Sequence, residues 1–400
     1  MIIGAGQAGL SAAEALRKRG YEGPVTLIGE EPAPPYQRPP LSKTYLSGEL
    51  PAERLWLKPE TYFDAAAITL RTGVRAAALD RAARCVVLSD GQSIAYDHVI
   101  IATGGAARRL TLPGADLPGV HVLRSLAEAD ALSDALTGAS RLAIIGAGYI
   151  GLEVAASARK RGLEVSVLEA ADRPMARTAS PLLGGWFGAL HRGYGVDLRV
   201  STGVAAITGA QRADGVRLAD GERVEADLVL IAAGLVPGTA LAEAAGLACA
   251  DGILVDKHAR TSDPDIFAIG DVARFDSALY GRSIRLESVQ NAIEQGRAAA
   301  AAICGAPAPY DPVPWFWSDQ YAIKLQIAGL IEGADQMVRR GDPEEGAFAL
   351  FHLKDSVLIA CEAVNAAPEF MAAQRMIAAC ARPDPDRLRD TTVAMRAFLS

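Results

Sequence analysis

The sequence predicts an α/β protein in which two similar βαβ domains, the second inserted in the first, precede a small C-terminal α+β domain. Three observations lead to this fold class. A strand, a glycine turn and a helix follow one another twice, with the turns at 4–9 and 146–151. Apolar runs of strand length that end in small residues follow each turn. Beyond residue 313, alternating polar and apolar residues predict an antiparallel sheet.

The two glycine turns share the spacing Gly-x-Gly-x-x-Gly directly after a short apolar strand. In this spacing the first glycine permits a tight turn, the second lets the backbone approach a pyrophosphate, and the third lets helix and strand pack closely. The glycines concerned are Gly4, Gly6, Gly9, Gly146, Gly148 and Gly151. We therefore predict two Rossmann-like dinucleotide-binding domains. Two nucleotide cofactors in one chain indicate electron transfer between them.

The sequences that flank the two turns are also alike. Each turn opens an Ala- and Leu-rich helix that ends in Arg and Lys, followed by Gly20 or Gly162 as a left-handed cap. A β-branched strand follows, and Glu30 and Glu169 fall at or just past its end, where a carboxylate accepts hydrogen bonds from an adenosine ribose. The alternative is two glycine turns in an α/β protein that bind no ligand.

Composition excludes several classes of function. The chain has 400 residues and a formal net charge of −7, which argues against nucleic acid as a partner because phosphate binding needs a basic face. No apolar stretch approaches the length of a membrane span. The first glycine turn begins at the fourth residue, so we expect no signal peptide, and we expect a few residues to be missing from the natural N-terminus.

Cysteine and histidine show no sign of a metal site. The five cysteines form no C-x-x-C pair and are far apart, which suits free thiols in a reducing cytoplasm. Cys85 falls in an expected edge strand. We expect His191 and His258 to lie at the surface.

The order of the remaining segments indicates where the domains begin and end. Apolar strands at 98–105 and 228–234 end in small residues, and a third at 266–271 ends in glycine and an acid. Helical patterns cover 124–135 and 287–302. Since the second glycine unit interrupts this series, we predict one nucleotide-binding domain over 1–110 and 236–312, another over 111–235, and the α+β domain over 313–400.

Several runs occur together in the order found in one known family. They are the two glycine turns, YQRPPLSK at 36–43, IFAIGD at 266–271, ESVQNA at 287–292 and PWFWSDQ at 314–320. The chain resembles, almost end to end, the FAD-dependent NADH:ferredoxin reductases of bacterial oxygenase systems, namely the putidaredoxin-reductase-like and biphenyl-dioxygenase-reductase-like enzymes. The resemblance implies hydride transfer from NADH to FAD, followed by single-electron transfer to a two-iron ferredoxin that feeds a cytochrome P450 or a ring-hydroxylating dioxygenase.

The resemblance also implies which residues hold each cofactor. The first domain would bind FAD and the inserted domain NADH. The residues assigned to FAD are Gly4, Gly6, Gly9, Glu30, Arg38, Lys43, Ala102, Thr103, Gly104, Arg124, Asp271, Val289, Gln290 and Trp317. Those assigned to NADH are Gly146, Gly148, Tyr149, Ile150, Gly151, Glu153, Glu169, Ala233 and Gly234. Glu169 favours NADH over NADPH because a 2′-phosphate would meet its carboxylate, although Arg173 and Arg177 lie nearby.

Three residues are assigned to catalysis. We predict an ion pair between Lys43 and Glu153, which we place in the first turn of the NADH-side helix, beside flavin and nicotinamide. Trp317 would provide an aromatic wall that excludes water from the flavin. The helix that opens at Val289 and Gln290 would direct its positive end toward the flavin.

The ferredoxin is expected to dock electrostatically on a basic face, as a transient complex. Candidate side chains are Arg282, Arg285, Lys324, Arg339 and Arg340, although at least two of these are expected to be ordinary surface charges. Trp315 or Trp317 would lie between flavin and cluster. We expect a cytoplasmic enzyme with no nucleic-acid or membrane partner, and the sequence leaves its oligomeric state open.

Other functions of the same fold remain as alternatives. A disulfide or peroxide reductase needs a redox cysteine near the flavin, and the run at 38–43 contains none. A DNA-binding protein similar to apoptosis-inducing factor is disfavoured by the acidic net charge. The third alternative is a nucleotide sensor without turnover.

Overall fold

The computed structural model describes residues 1–399. The helices are α1 (Gln7–Lys18), α2 (Thr61–Ala65), α3 (Leu126–Thr137), α4 (Tyr149–Lys160), α5 (Pro181–Gly193), α6 (Ala240–Ala244), α7 (Val289–Ile303), α8 (Ala367–Ala378) and α9 (Pro385–Arg389). The strands of the first part of the chain are β1 (Ile2–Ile3), β2 (Val25–Ile28), β3 (Ile68–Arg71), β4 (Ala76–Asp80), β5 (Cys85–Leu88), β6 (Ser93–Ala95), β7 (Val99–Ile101), β8 (Gly105–Ala107), β9 (Val120–His121), β10 (Arg141–Ile145), β11 (Glu164–Leu168), β12 (Asp197–Arg199) and β13 (Val204–Thr208). The later strands are β14 (Gly215–Leu218), β15 (Arg223–Glu225), β16 (Leu228–Ile231), β17 (Leu235–Pro237), β18 (Ile253–Val255), β19 (Ile266–Ala268), β20 (Ala273–Ser277), β21 (Arg282–Arg285), β22 (Trp315–Gln320), β23 (Ile323–Gly329), β24 (Gln336–Asp342), β25 (Ala347–Lys354) and β26 (Val357–Val364).

The chain divides into two compact units. Unit 1 comprises Met1–Gln37, Ala52–Ala106 and Val236–Pro314. Unit 2 comprises Arg38–Pro51, Ala107–Leu235 and Trp315–Ser400. Unit 2 therefore contains the second glycine turn together with the C-terminal segment.

Unit 1 is organised around a parallel sheet with the strand order β19-β7-β1-β2-β3. The strand that leads into the first glycine turn is central, and its residues Ile2 and Ile3 are buried. Helices α1 and α7 pack against each other at Gly296, where an added Cβ would lie 2.9 Å from the backbone nitrogen of Ala12. Only glycine permits so close a crossing of the two helices.

Unit 2 repeats this arrangement in a second parallel sheet with the order β12-β11-β10-β16-β9. Here β10, which leads into the second glycine turn, is central. Its residues Leu142–Ile145 are buried, as expected for a strand covered on both faces. The two predicted Rossmann-like elements are thus present and have equivalent strand orders around the glycine turn.

Helices α1 and α4 end in the same way. The N–H of Gly20 donates to the carbonyl of Arg17, and that of Tyr21 donates to the carbonyl of Leu16. Gly162 and its successor repeat this pair of bonds at the end of α4. Both glycines have positive φ, 78° and 88°, so the left-handed caps predicted from the sequence are confirmed.

The smaller sheets complete the two units. Unit 1 adds the sheets β4-β5-β6 and β18-β20-β21, and unit 2 adds β13-β14-β15. The predicted C-terminal antiparallel sheet is confirmed in unit 2 with five strands in the order β22-β23-β26-β25-β24, and α8 packs on it. The edge position expected for Cys85 is wrong, because β5 pairs with a strand on each side.

Two further expectations concern metals and membranes. Within residues 1–399, no three His, Cys, Asp or Glu side chains form a group that could hold a metal ion. None of the helices in that range combines the length and the apolar character that crossing a membrane requires.

Candidate functional site

The first glycine turn forms a cradle in unit 1. Gly4 has φ +117°, and a Cβ there would lie 2.1 Å from the carbonyl oxygen of Ala102. A Cβ on Gly9 would lie 2.0 Å from the carbonyl oxygen of Gly4. A Cβ on Gly6, by contrast, would meet no atom within 4 Å. The outer glycines are therefore required by the fold, whereas the middle glycine faces open space.

The second glycine turn has the same geometry in unit 2. A Cβ on Gly146 would lie 2.6 Å from the carbonyl oxygen of Ala232, and one on Gly151 would lie 2.2 Å from that of Gly146. A Cβ on Gly148 would meet nothing within 4 Å. Helices α1 and α4 also lack a side-chain cap at their N-termini, so no side chain takes the first N–H groups. Both turns fit a pyrophosphate, with the helix dipole favouring its charge.

The other FAD residues predicted in unit 1 lie at the carboxyl edge of its parallel sheet. Glu30 is exposed just past β2, and residues 102–104 follow β7. Asp271 lies in a short 3-10 turn after β19. Because β1, β2, β7 and β19 are parallel neighbours, the structure brings these residues to the same edge as the first glycine turn. This edge is where open α/β sheets bind their ligands.

Helix α7 contributes two features to the same edge. It begins at Val289 as predicted, with Ser288 capping it by accepting from the N–H of Asn291. Gln295, to which the sequence assigned no role, accepts a hydrogen bond from the N–H of Gly270 at 2.7 Å. Its buried Nε2 has no partner within the described residues. An unpaired buried amide beside the turn that holds Asp271 fits a site that is completed by a polar ligand.

Unit 2 contains the remaining residues assigned to FAD. Arg38 donates through Nη1 to the carbonyl of Arg124 at 2.7 Å, so these two predicted residues are in contact. Trp317 lies on β22, and its ring centroid is 5.9 Å from that of Trp315. The role of these side chains toward FAD stays a prediction.

The residues assigned to NADH surround the second glycine turn. The Glu169 carboxylate accepts from the N–H of Ala147 at 2.7 Å and from that of Ala171 at 2.8 Å. Ala233 and Gly234 follow β16 in the same sheet. The Glu169 side chain is thus held at the turn itself, as a ribose-binding carboxylate requires.

Three nearby side chains complete this region. Arg177 is exposed near Gly234, and within residues 1–399 it makes no hydrogen bond or ion pair. Arg173 instead pairs with Asp172 at 2.9 Å. Ile150 is 42% exposed on the first turn of α4.

The predicted ion pair between Lys43 and Glu153 is present, with Nζ and Oε1 2.8 Å apart. The Glu153 side chain is only 3% exposed. It also accepts from the hydroxyls of Ser42 at 2.5 Å and Ser318 at 2.6 Å. Its expected place in the first turn is wrong: α4 begins at Tyr149, so Glu153 is the fifth helical residue. The carboxylate is therefore held by three donors rather than by the end of the helix.

Strand β22 supplies one of these donors, Ser318, because its side chains alternate between the two faces of the strand. Phe316 and Ser318 lie on one face and Trp317 on the other, as residues two apart in a strand share a face. Phe316 packs edge-on against Tyr149 of α4, with ring centroids 4.8 Å apart, and Ser318 reaches Glu153 one turn further along that helix. Desolvation raises the pKa of Tyr149.

The structure corrects one prediction for a histidine and one for an arginine. His191 is fully buried rather than at the surface, with its Nε2 2.8 Å from Gln320, and burial lowers its pKa. Arg340 is also buried, because its guanidinium pairs with Glu369 and donates to carbonyls of the C-terminal segment. Both side chains are therefore bonded inside unit 2, and sequence patterns do not distinguish them from surface residues.

The remaining basic candidates differ in exposure. The Arg285 side chain is 10% exposed, and its guanidinium already pairs with Glu287 of unit 1 at 2.8 Å. Arg282 is partly buried, whereas Lys324 and Arg339 are exposed. Only part of the expected basic docking set is therefore fully accessible.

The chain matches two family models that together cover nearly its whole length. Residues 1–296 match the pyridine nucleotide-disulphide oxidoreductase family. Residues 315–399 match the reductase C-terminal family. The disulphide of the family name has no counterpart here, because all five cysteines are free thiols.

Individual relatives show the same end-to-end similarity. Rhodocoxin reductase of Rhodococcus erythropolis is 47% identical over 100% of this chain and 94% of its own. The crystal structure of the ferredoxin reductase for the CYP199A2 system from Rhodopseudomonas palustris superimposes with a TM-score of 0.98 at 41% identity, covering 100% and 99% of the two chains. Putidaredoxin reductase in its covalent complex with putidaredoxin gives a TM-score of 0.96 at 39% identity, covering 100% and 97%. The chain therefore belongs to the pyridine nucleotide-disulphide oxidoreductase family and carries a reductase C-terminal domain over residues 315–399.

Proposed function

We propose that this protein takes hydride from NADH onto FAD and passes single electrons to a two-iron ferredoxin, which feeds a cytochrome P450 or a ring-hydroxylating dioxygenase. The observation that carries the proposal is the pair of equivalent open glycine turns in a chain that matches ferredoxin reductases over its full length. FAD, when bound, supplies the conversion between two-electron and one-electron transfer.

The domain division we propose follows the two parallel sheets. Strands β1, β2, β3, β7 and β19 fall within 1–110 and 236–312, which we assign to FAD binding. Strands β9, β10, β11, β12 and β16 fall within 111–235, which we assign to NADH binding. Strands β22–β26 fall within 313–400, the proposed α+β domain.

In the FAD site, unit 1 would hold the pyrophosphate at Gly4, Gly6 and Gly9. Glu30 would accept from the adenosine ribose and Asp271 from the ribitol chain. The N-terminus of α7 would stabilise negative charge, because its free N–H groups carry the positive end of a 15-residue helix dipole. Unit 2 residues Arg38, Arg124, Lys43 and Trp317 are assigned to this site on the family resemblance alone.

In the NADH site, the second glycine turn would hold the pyrophosphate and Glu169 the ribose. Glu153 lies on the helix that this turn opens, and its ion pair with Lys43 is shielded from water. We propose that the pair orients the nicotinamide for hydride transfer, since a buried charged pair with three donors keeps one geometry.

Ferredoxin docking is proposed to depend on exposed basic side chains of unit 2. Lys324 and Arg339 meet this requirement, and both lie in the C-terminal sheet. Exposed charges speed association with an acidic partner and are screened within about 8–10 Å at physiological ionic strength. The five free thiols favour the cytoplasm as the compartment of this reaction.

The test is NADH-driven cytochrome c reduction with a two-iron ferredoxin added, measured across a salt series. We expect strong stimulation by the ferredoxin that weakens as salt rises. Rapid turnover with a quinone or oxygen, without stimulation by any ferredoxin tried, would identify a diaphorase or oxidase instead. Absence of NADH turnover with every one-electron acceptor would identify a nucleotide sensor.

A further inference from the structure

A continuous hydrogen-bond chain in unit 2 leads from a partly exposed tyrosine to Glu153. The Tyr321 hydroxyl lies 3.2 Å from His191 Nδ1, and His191 Nε2 lies 2.8 Å from Gln320 Oε1. Gln320 Nε2 lies 3.1 Å from the Ser318 hydroxyl, which lies 2.6 Å from Glu153 Oε1. The three inner side chains, His191, Gln320 and Ser318, are at most 1% exposed.

The charge of Glu153, together with a neutral His191, determines the direction of every bond in this chain. An ionised carboxylate only accepts, so the Ser318 O–H must donate to it. The Ser318 oxygen is then free to accept from the amide N–H₂ of Gln320, whose carbonyl in turn accepts from His191 Nε2–H. That leaves His191 Nδ1 as the acceptor for the Tyr321 O–H. All four donors therefore point toward Glu153, and the single ring proton of the neutral His191 is on Nε2.

Burial supports this protonation state, because it lowers the pKa of His191. Tyr321 stacks on Tyr194, with centroids 3.7 Å apart and planes at 6°, which holds the outermost donor in place. Aligned donors polarise one another, so each link strengthens the next toward the negative charge.

We propose that Ser318, Gln320 and His191 are positioning residues that hold the Glu153 carboxylate in the orientation in which Oε1 pairs with Lys43. This inference rests on the proposed function of the pair in hydride transfer. Without the Ser318 donor, the carboxylate would keep Ser42 and Lys43 as partners but could rotate between them. The nicotinamide would then be oriented less uniformly, and hydride transfer would slow.

The experiment measures single-turnover reduction of the bound flavin by saturating NADH in the FAD-loaded protein. We expect Ser318→Ala to slow reduction about fivefold and His191→Phe about two- to threefold, since donors to a charged group contribute more than neutral ones and the effect weakens along the chain. Ser318→Thr, which keeps the hydroxyl, should restore most of the rate. Each variant is compared at equal flavin content.

A matched control is available in unit 1. The Ser277 hydroxyl is buried and donates to the Asp311 carboxylate at 2.6 Å, the same distance as in the Ser318 bond. Ser277→Ala should lower the thermal midpoint as Ser318→Ala does while leaving the rate of flavin reduction unchanged.

A double-mutant cycle with Glu153→Gln separates the two levels of the proposal. If the chain acts through the carboxylate, Ser318→Ala and His191→Phe cause no further loss in the Glu153→Gln background. Unchanged flavin reduction in Glu153→Gln would refute the role of the ion pair in the proposed function. Two results would overturn the positioning role alone, provided that Glu153→Gln itself reduces flavin slowly. In the first, Ser318→Ala and His191→Phe reduce flavin as fast as the control. In the second, their losses of rate are fully additive with that of Glu153→Gln.

Discussion

The middle glycine of the second turn offers the sharpest test of nucleotide binding, because its substitution should separate binding from folding. Gly148 has φ −75° and ψ −179°, a conformation open to any residue. A methyl group there meets no protein atom within 4 Å. It would occupy the space through which we propose that the NADH pyrophosphate approaches the backbone. Gly148→Ala should therefore weaken NADH binding and leave the fold intact.

The expected magnitudes follow from this geometry. Alanine lowers the conformational entropy of the unfolded chain, which stabilises by about 0.4–1 kcal/mol, and it is a poorer N-cap than glycine by a similar amount. The net change in stability should therefore lie within about 1 kcal/mol. Displacing the pyrophosphate by a methyl radius should cost at least about 1.4 kcal/mol of binding, or tenfold in affinity. Gly146→Ala should instead destabilise the fold by about 3 kcal/mol or more, because φ is +107° and Cβ would lie 2.6 Å from a carbonyl oxygen.

The assay compares kcat/KM for NADH with ferricyanide as acceptor, alongside the thermal midpoint of each variant. Gly185→Ala is the control, since Gly185 lies within α5 and an added Cβ meets nothing within 4 Å. It should raise stability slightly and leave kcat/KM unchanged. A Gly148→Ala enzyme with the wild-type KM for NADH would refute the placement of the pyrophosphate at this turn.

Four further outcomes are expected. NADH should exceed NADPH in kcat/KM by about a hundredfold because a 2′-phosphate would meet the Glu169 carboxylate, and equal values or a preference for NADPH would contradict this. Glu153→Ala should slow stopped-flow flavin reduction and raise the KM for NADH while FAD stays bound, since it leaves a lysine charge without its partner; an unchanged reduction rate would argue for an ordinary helical glutamate. Lys324→Glu should reduce ferredoxin stimulation about threefold at low salt and have little effect at high salt, and a salt-independent loss would point to a role other than docking. Burial lowers the pKa of His191 below 6.5, so its contribution to stability is fully present above that pH and is lost as pH falls and the unfolded chain takes up the proton; thermal midpoints should rise from pH 5 to 8, and less steeply in His191→Phe, with His121, whose pKa is also lowered by burial, preserving part of the slope.

Local sequence signals predicted the elements whose geometry depends on neighbouring residues. The glycine spacing predicted both turns because positive φ at Gly4 and Gly146 and the close contact at Gly9 are requirements of the backbone itself. Cationic last turns followed by glycine predicted the ends of α1 and α4 for the same reason. The alternation near 324–327 likewise predicted a half-buried strand.

The roles of individual polar side chains depended on contacts between segments far apart in the chain. Arg340 and His191 have nothing in their local sequence that distinguishes them from surface residues, yet the tertiary structure buries both among partners from other elements. Glu153 was paired with Lys43 through family resemblance, whereas its bonds to Ser42 and Ser318 arise because three segments separated by more than 100 residues meet in unit 2. Sequence alone therefore determined the two nucleotide-binding folds, which follow from backbone geometry. Only the tertiary structure decided which side chains surround the Glu153 charge, because burial and hydrogen bonding at that charge are supplied by residues that no local pattern links.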